Sequence, residues 1–295
     1  MLSLPAHLLG LLSALSAAAS WGGGDFAGGL ANRRYHSFVV LALTCSTGTV
    51  LLILLAILRG EWSVSLHDAA WAVAAGLSGG VGLVALFRGL ALGSAAVVSS
   101  VAGVVGVIVP VIAGAFLEGL PGVSKFAGFL LGVAGIWLVT RSGGSAPDVV
   151  PRPAHLAGSG ASNRPLPLAF SAGLGFGLFF VLIAQVEPRQ VFAPLVVSKA
   201  TQALCGIGLV LALRLRLTGA AGLPAALASG VLDVGGNVFF LIASRLTSLA
   251  AASVLVSMYP VGTVLLSRLV LKEHVTVRQW LGVALCVGAI ALIAL

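Results

Sequence analysis

Charge is what this sequence lacks most. Of its 295 residues 8% are Asp, Glu, Lys or Arg, against 59% hydrophobic, and the mean hydropathy is +1.14. A soluble domain needs a charged skin around its apolar core, so that class is excluded and an integral membrane protein is indicated. Cysteine is scarce too. Cys45, Cys205 and Cys286 lie inside apolar runs, with no CxxC spacing and no histidine cluster beside them, so neither a disulfide framework nor a metal site is expected. His7, His36, His67, His155 and His274 sit in connections or near the start. The chain has no H-E-x-x-H, no G-x-S-x-G and no paired-Asp motif for Mg²⁺, which argues against an enzyme.

The net charge of +8 would suggest nucleic acid in a soluble protein. Here Lys and Arg are scattered at the ends of apolar runs and read as topology signals and lipid anchors instead. The first twenty residues have the apolar run of a signal peptide, but they lack Lys and Arg, and apolar sequence continues to Leu30, so a retained helix is expected.

Apolar runs between charged or turn-rich breaks predict ten helices, over residues 6–30, 38–58, 69–90, 94–117, 126–141, 167–186, 191–213, 225–244, 248–271 and 279–295. One connection is long and rich in Gly, Ser, Pro and Ala, which makes residues 142–165 a flexible linker between a first repeat, 1–141, and a second, 166–295. Shifting the chain by 154 residues brings Gly76 onto Gly230, Gly82 onto Gly236, Ser94 onto Ser248, Ser99 onto Ser253 and Gly128 onto Gly282. Five crossings per repeat reverse the direction of entry, so the repeats are inverted. Inverted repeats place a substrate site near the bilayer midplane.

Against this background Lys199 stands out. It lies well inside the run from Val191 to Leu213, where a charge costs roughly 2.5–3.5 kcal/mol and is expected to face a wet cavity with a partner. Gln202 is on the same helical face. Asp233 and Asn237, four residues apart, stack on another helix, and Asp25 shares a face with Trp21. A carboxyl in such a low-dielectric site can carry a proton, so Asp25 or Asp233 is expected to pair with Lys199 and to exchange that pairing for substrate or proton. Tyr259 precedes Pro260, which should kink its helix. Cys45 is the register counterpart of Lys199, and Thr44 and Ser46 beside it predict a hydroxyl-lined wall opposite the lysine. The glycines, among them Gly22–Gly24, Gly76, Gly79, Gly80, Gly82, Gly235 and Gly236, read as close-packing positions, since none has phosphate-loop spacing. Glu118 and Glu273 are expected to cap turns or pair with Lys125 and Lys272. Trp62, Trp71 and Trp280 read as interface residues, and Arg88 as a snorkelling one.

The end of each half carries a pattern. The second reads Ser253-VLVSMYPVGTVLLSRLVLKE followed by the run from Trp280, and the first Ser99-SVAGVVGVIVPVIAGAFLE followed by the run from Phe126; the chain also opens with SAAASWGGGDFAGG. Serine and small residues, a helical Pro, a Glu-bearing turn and a Gly-dotted closing helix resemble the EamA repeat of the drug/metabolite transporter superfamily. The resemblance implies ten helices with both termini in the cytoplasm. The charge count, with eleven Lys and Arg at odd-numbered connections against four at even ones, implies the opposite orientation; we weight the resemblance.

The reading is therefore an all-α membrane protein acting as a secondary active transporter, exporting a small organic metabolite across the bacterial plasma membrane by alternating access. The Lys199 ammonium tilts the substrate towards amino acids or related anionic or zwitterionic solutes. Proton-coupled export of cationic drugs through Asp25 is the alternative, ahead of a lipid-headgroup flippase or a scaffold. No cofactor is expected beyond a proton or ion gradient, and the partners are substrate and bilayer, without nucleic acid, for a monomer or homodimer.

Overall fold

The computed structural model describes residues 5–32, 34–61, 63–92, 95–117, 119–141, 165–187, 189–216, 219–259 and 276–294. Residues 142–164 of the linker, Glu118, Pro260, Trp62, Lys272, Glu273 and the side chain of Arg88 lie outside the described residues, while Pro165, expected to close the linker, begins a helix.

The described residues form ten helices: α1 (Ala6–Asn32), α2 (Ser37–Arg59), α3 (Leu66–Leu92), α4 (Ala95–Leu117), α5 (Val123–Arg141), α6 (Pro165–Ile183), α7 (Phe192–Ala212), α8 (Leu223–Leu246), α9 (Leu249–Val256) and α10 (Val277–Ala294). Parts of α2, α3, α6, α7 and α8 are each long and apolar enough to cross a membrane. The apolar run of α1 is interrupted by Ser, Gly and Asp; Gly10, Gly22, Gly24 and Gly28 are buried, and Asp25 is exposed.

Most predicted ends agree to within three residues; the ninth helix, expected over 248–271, ends instead at Val256, with Ser257 as its cap, and residues 260–275 lie outside the described residues. Helix α6 stops early, at Ile183 rather than 186, because the chain turns there and the Glu187 N–H is taken by the Asp68 carboxylate of the other half (3.0 Å). Local chemistry sets other ends. His36 caps α2 through its ring nitrogen, Ser248 caps α9 by accepting from the Ala251 N–H, and Gly60 ends α2 with φ +70°.

Packing follows the inversion. Helix α1 packs along α8 and α6 along α3; α2 packs on α7 and α8, and α3 on α7 and α6; α5 pairs with α10. Under the 154-residue shift the α1–α8 pairing is the counterpart of α6–α3 and the α2–α8 pairing of α7–α3, while α2–α7 and α5–α10 each map onto themselves. The glycines show how close the match is. A Cβ added to Gly76 would meet Ser198 O at 2.5 Å and Thr201 Cβ at 2.8 Å, whereas one added to Gly230 would meet Thr44 O at 2.6 Å and Thr47 Cβ at 2.8 Å. Ser198 and Thr201 are the register counterparts of Thr44 and Thr47. Both helix crossings are therefore one crossing built twice, each at a distance no side chain tolerates. The start of α1 lies beside the end of α8, where the Thr247 hydroxyl is 3.4 Å from His7 Nδ1; we call this the termini end of the bundle.

The crossings yield a stability prediction. Gly76→Leu or Gly230→Leu forces α3 from α7, or α8 from α2, and should lower the unfolding temperature in detergent by the equivalent of about 1–3 kcal/mol or more. Gly208, whose added Cβ meets nothing within 4 Å, should accept Ala without loss. Thermal unfolding of the purified variants checks both.

Candidate functional site

Lys199 is buried on α7, two turns in from the helix start, and its ammonium crosses to α8, where Nζ lies 2.6 Å from Asp233 Oδ2. It also donates to Gln202 Oε1 at 2.8 Å, one turn along α7. On α8 the Asn237 amide donates to Asp233 Oδ2 (3.1 Å) and to the Asp233 backbone carbonyl (2.6 Å). On the far side the Cys45 thiol donates to Gln202 Oε1 at 3.6 Å. The result is one continuous polar chain, Cys45–Gln202–Lys199–Asp233–Asn237, through three helices. Each charge in it is both paired and hydrogen-bonded, as burial demands.

The repeat explains how the long side chains fit. Under the 154-residue shift Gln202 corresponds to Gly48, Asp233 to Gly79 and Lys199 to Cys45. A Cβ on Gly48 would press on Lys199 Cγ at 3.3 Å, and one on Gly79 would meet Gln202 Nε2 at 2.7 Å. Where the first half has glycine, the polar side chains of the second half occupy the space. The pair is thus built into one half of a repeated scaffold.

Four members of this chain, Gln202, Lys199, Asp233 and Asn237, line a central cavity of about 100 Å³, together with Trp21, Asp25 and Tyr259. That volume holds waters with room to spare. Two carboxylates, Asp25 and Asp233, face one ammonium in it. Asp233 is committed to Lys199, while Asp25 is exposed towards the cavity and makes no salt bridge among the described residues. Tyr259 lies within electrostatic reach of Asp25. Phe176, Phe179 and Phe180 of α6 add an aromatic wall. Trp21 packs on Phe180 with ring centroids 5.6 Å apart, and Phe180 on Phe240 at 4.6 Å.

Seven of the nine residues singled out from the sequence, namely Trp21, Asp25, Lys199, Gln202, Asp233, Asn237 and Tyr259, meet at this cavity. Thr44 and Ser46 do not. The Thr44 hydroxyl donates to the Ala226 carbonyl at 3.4 Å, and Ser46 is absent from the lining. What α2 presents to the polar chain is the Cys45 thiol, bonded to Gln202, and Gly48, packed on the Lys199 stem, and neither residue lines the cavity. Successive helical residues diverge by about 100°, so with Cys45 aimed at Gln202 its neighbours must point elsewhere. Of the two carboxylates offered for Lys199, Asp233 is the partner. The α6 phenylalanines and Ser257 carried no signal in the sequence, being apolar or small residues in apolar runs. Trp71 donates to His67 Nε2 near the start of α3 (3.1 Å).

Comparison with known sequences finds the pattern of the EamA-like transporter family over residues 8–141 and again over 164–295. No curated protein matches the chain. Among solved structures, one described only as the crystal structure of a protein is similar over 96% of this chain and 95% of its own, with a TM-score of 0.73 and 19% identity. That likeness concerns the fold alone.

Removing one member of the buried pair leaves the other charge uncompensated. Lys199→Met or Asp233→Leu alone should destabilise the protein by about 3–5 kcal/mol, and the double variant should recover most of that loss. A double-mutant cycle of thermal unfolding in detergent measures it; additive losses would contradict the pairing.

Proposed function

The chain belongs to the EamA-like transporter family, and from that premise we propose that it is a secondary active exporter of a small zwitterionic metabolite, of the amino-acid type, working by alternating access in a bacterial plasma membrane. The observation that carries this reading is the central cavity between the inverted halves, with its buried Lys199–Asp233 pair and the additional carboxylate of Asp25.

The charges narrow the substrate. With two carboxylates to one ammonium, a purely anionic solute would enter a site of its own sign. A zwitterion suits both charges: its ammonium meets Asp25, and its carboxylate competes with Asp233 for Lys199. Two of the three Lys199 donors are already engaged by Asp233 and Gln202, so binding exchanges one paired state for another and avoids stranding a charge. The aromatic wall takes the apolar body. A proton on Asp25 or Asp233 then substitutes for the substrate on the return step, which couples transport to a proton gradient.

A second reading rests on the same excess carboxylate. Asp25 beside Trp21, Tyr259 and the α6 rings suits a lipophilic cation, held by charge and by cation–π attraction. The two readings differ in their dependence on Lys199, which a cation does not need.

In proteoliposomes with an imposed pH gradient, Asp25→Asn should abolish gradient-driven accumulation of the solute under either reading, amino acid or lipophilic cation. Lys199→Ala should abolish it for zwitterions and leave lipophilic-cation transport intact. Normal amino-acid transport by both variants would refute the zwitterion reading.

A further inference from the structure

The termini end of the bundle carries a second polar cluster, remote from the cavity. Glu61, just past α2, accepts from the first backbone N–H groups of α7: Val191 at 3.1 Å, Phe192 at 2.7 Å and Ala193 at 2.9 Å. Asp68, buried in the first turn of α3, accepts from the Glu187 N–H at 3.0 Å and from the Ser65 hydroxyl at 2.9 Å. From α8 the Arg245 guanidinium donates to the Glu187 carbonyl (3.0 Å) and the Gln190 carbonyl (2.6 Å), within electrostatic reach of both carboxylates. The α6–α7 connection of the second half is thus clasped by carboxylates of the first half on one side and by an arginine on the other.

The repeat does not copy this cluster. Under the 154-residue shift Glu61, Asp68 and Arg245 correspond to Leu215, Gly222 and Ala91, all uncharged. At the opposite end the halves meet through the Tyr35 hydroxyl donating to Gly219 O at 2.7 Å.

The clasped helices are also those of the charge pair. Lys199 lies about 10 Å along α7 from the start that Glu61 caps, and Asp233 about 18 Å along α8 from Arg245, at 1.5 Å per residue. Separating Lys199 from Asp233 moves two helices whose ends are joined at the α6–α7 connection.

We propose that Glu61, Asp68 and Arg245 are positioning residues that latch the termini end of the bundle shut, so that this end opens to the cavity only when the α6–α7 connection is released. The opposite end has no comparable charged latch among the described residues. This rests on the alternating-access reading and not on the zwitterion assignment.

The test needs no ligand. In a Cys205→Ser, Cys286→Ser background, spin labels at Leu66→Cys and Arg189→Cys span the latched end, and labels at Arg34→Cys and Arg216→Cys span the other. In nanodiscs, Glu61→Gln with Arg245→Gln should add a longer population, several ångströms out, to the first pair and none to the second. Asp68→Asn should do so more weakly. An unchanged first pair overturns the latch, as does equal broadening of both pairs, which would mean general loosening. If the latch opens as described but no amino acid is transported, the substrate assignment fails and the latch stands.

Discussion

A lysine deep in a lipid-spanning helix cannot be left alone, and much of this protein is arranged around that constraint. Ionised and unpartnered, Lys199 would carry a penalty of several kcal/mol. Its ammonium is instead held by Asp233 of α8 and Gln202 of its own helix, and Asp233 in turn by Asn237. The pair sits where α2 runs against both α7 and α8, and Gly48 leaves room for the lysine stem. Such a pair adds little to stability compared with apolar packing of the same volume. Its value lies in being exchangeable, because each charge accepts a substitute.

Duplication supplies the rest of the geometry. The two halves share one crossing, used at Gly76 and at Gly230, and so define a central space between them. They do not share chemistry. The ammonium, the amide and the carboxylate belong to the second half, whose counterparts in the first are Cys45, Gly48 and Gly79. Symmetric scaffolding permits two related conformations of the bundle, while asymmetric side chains make those conformations unequal in energy. The charged cluster at the termini end has the same character, since Glu61 and Asp68 face the α6–α7 connection while their counterparts Leu215 and Gly222 are uncharged.

The architecture was legible because the bilayer imposes a simple rule: helix lengths and breaks follow from hydrophobic runs, and an odd number of crossings per repeat forces inversion. Lys199, Gln202, Asp25, Asp233 and Asn237 were legible because a polar group in an apolar helix stands out. Residues with no such contrast were not. Phe176, Phe179 and Phe180 look like lipid-facing helix, and Glu61, Asp68 and Arg245 look like ordinary end-of-helix charges. Thr44 and Ser46 were assigned to the cavity wall because linear proximity to Cys45 does not specify rotation about the helix axis; Thr44 turns to Ala226. Choosing Asp233 over Asp25 for Lys199 likewise required the packing of α2 between α7 and α8.

The central claim is that the cavity around Lys199 is where this transporter binds its solute, and ligand-dependent stabilisation of the purified protein tests it most directly. A ligand that binds the folded state alone raises stability by RT ln(1 + [L]/Kd), about 2.7 kcal/mol at a hundred times Kd. Screened against amino acids, simple carboxylates and lipophilic cations, the wild-type protein should be stabilised by zwitterions, and Lys199→Ala, itself less stable for the loss of its pair, should gain nothing further from them. Stabilisation by the same zwitterions that survives in Lys199→Ala would contradict the account.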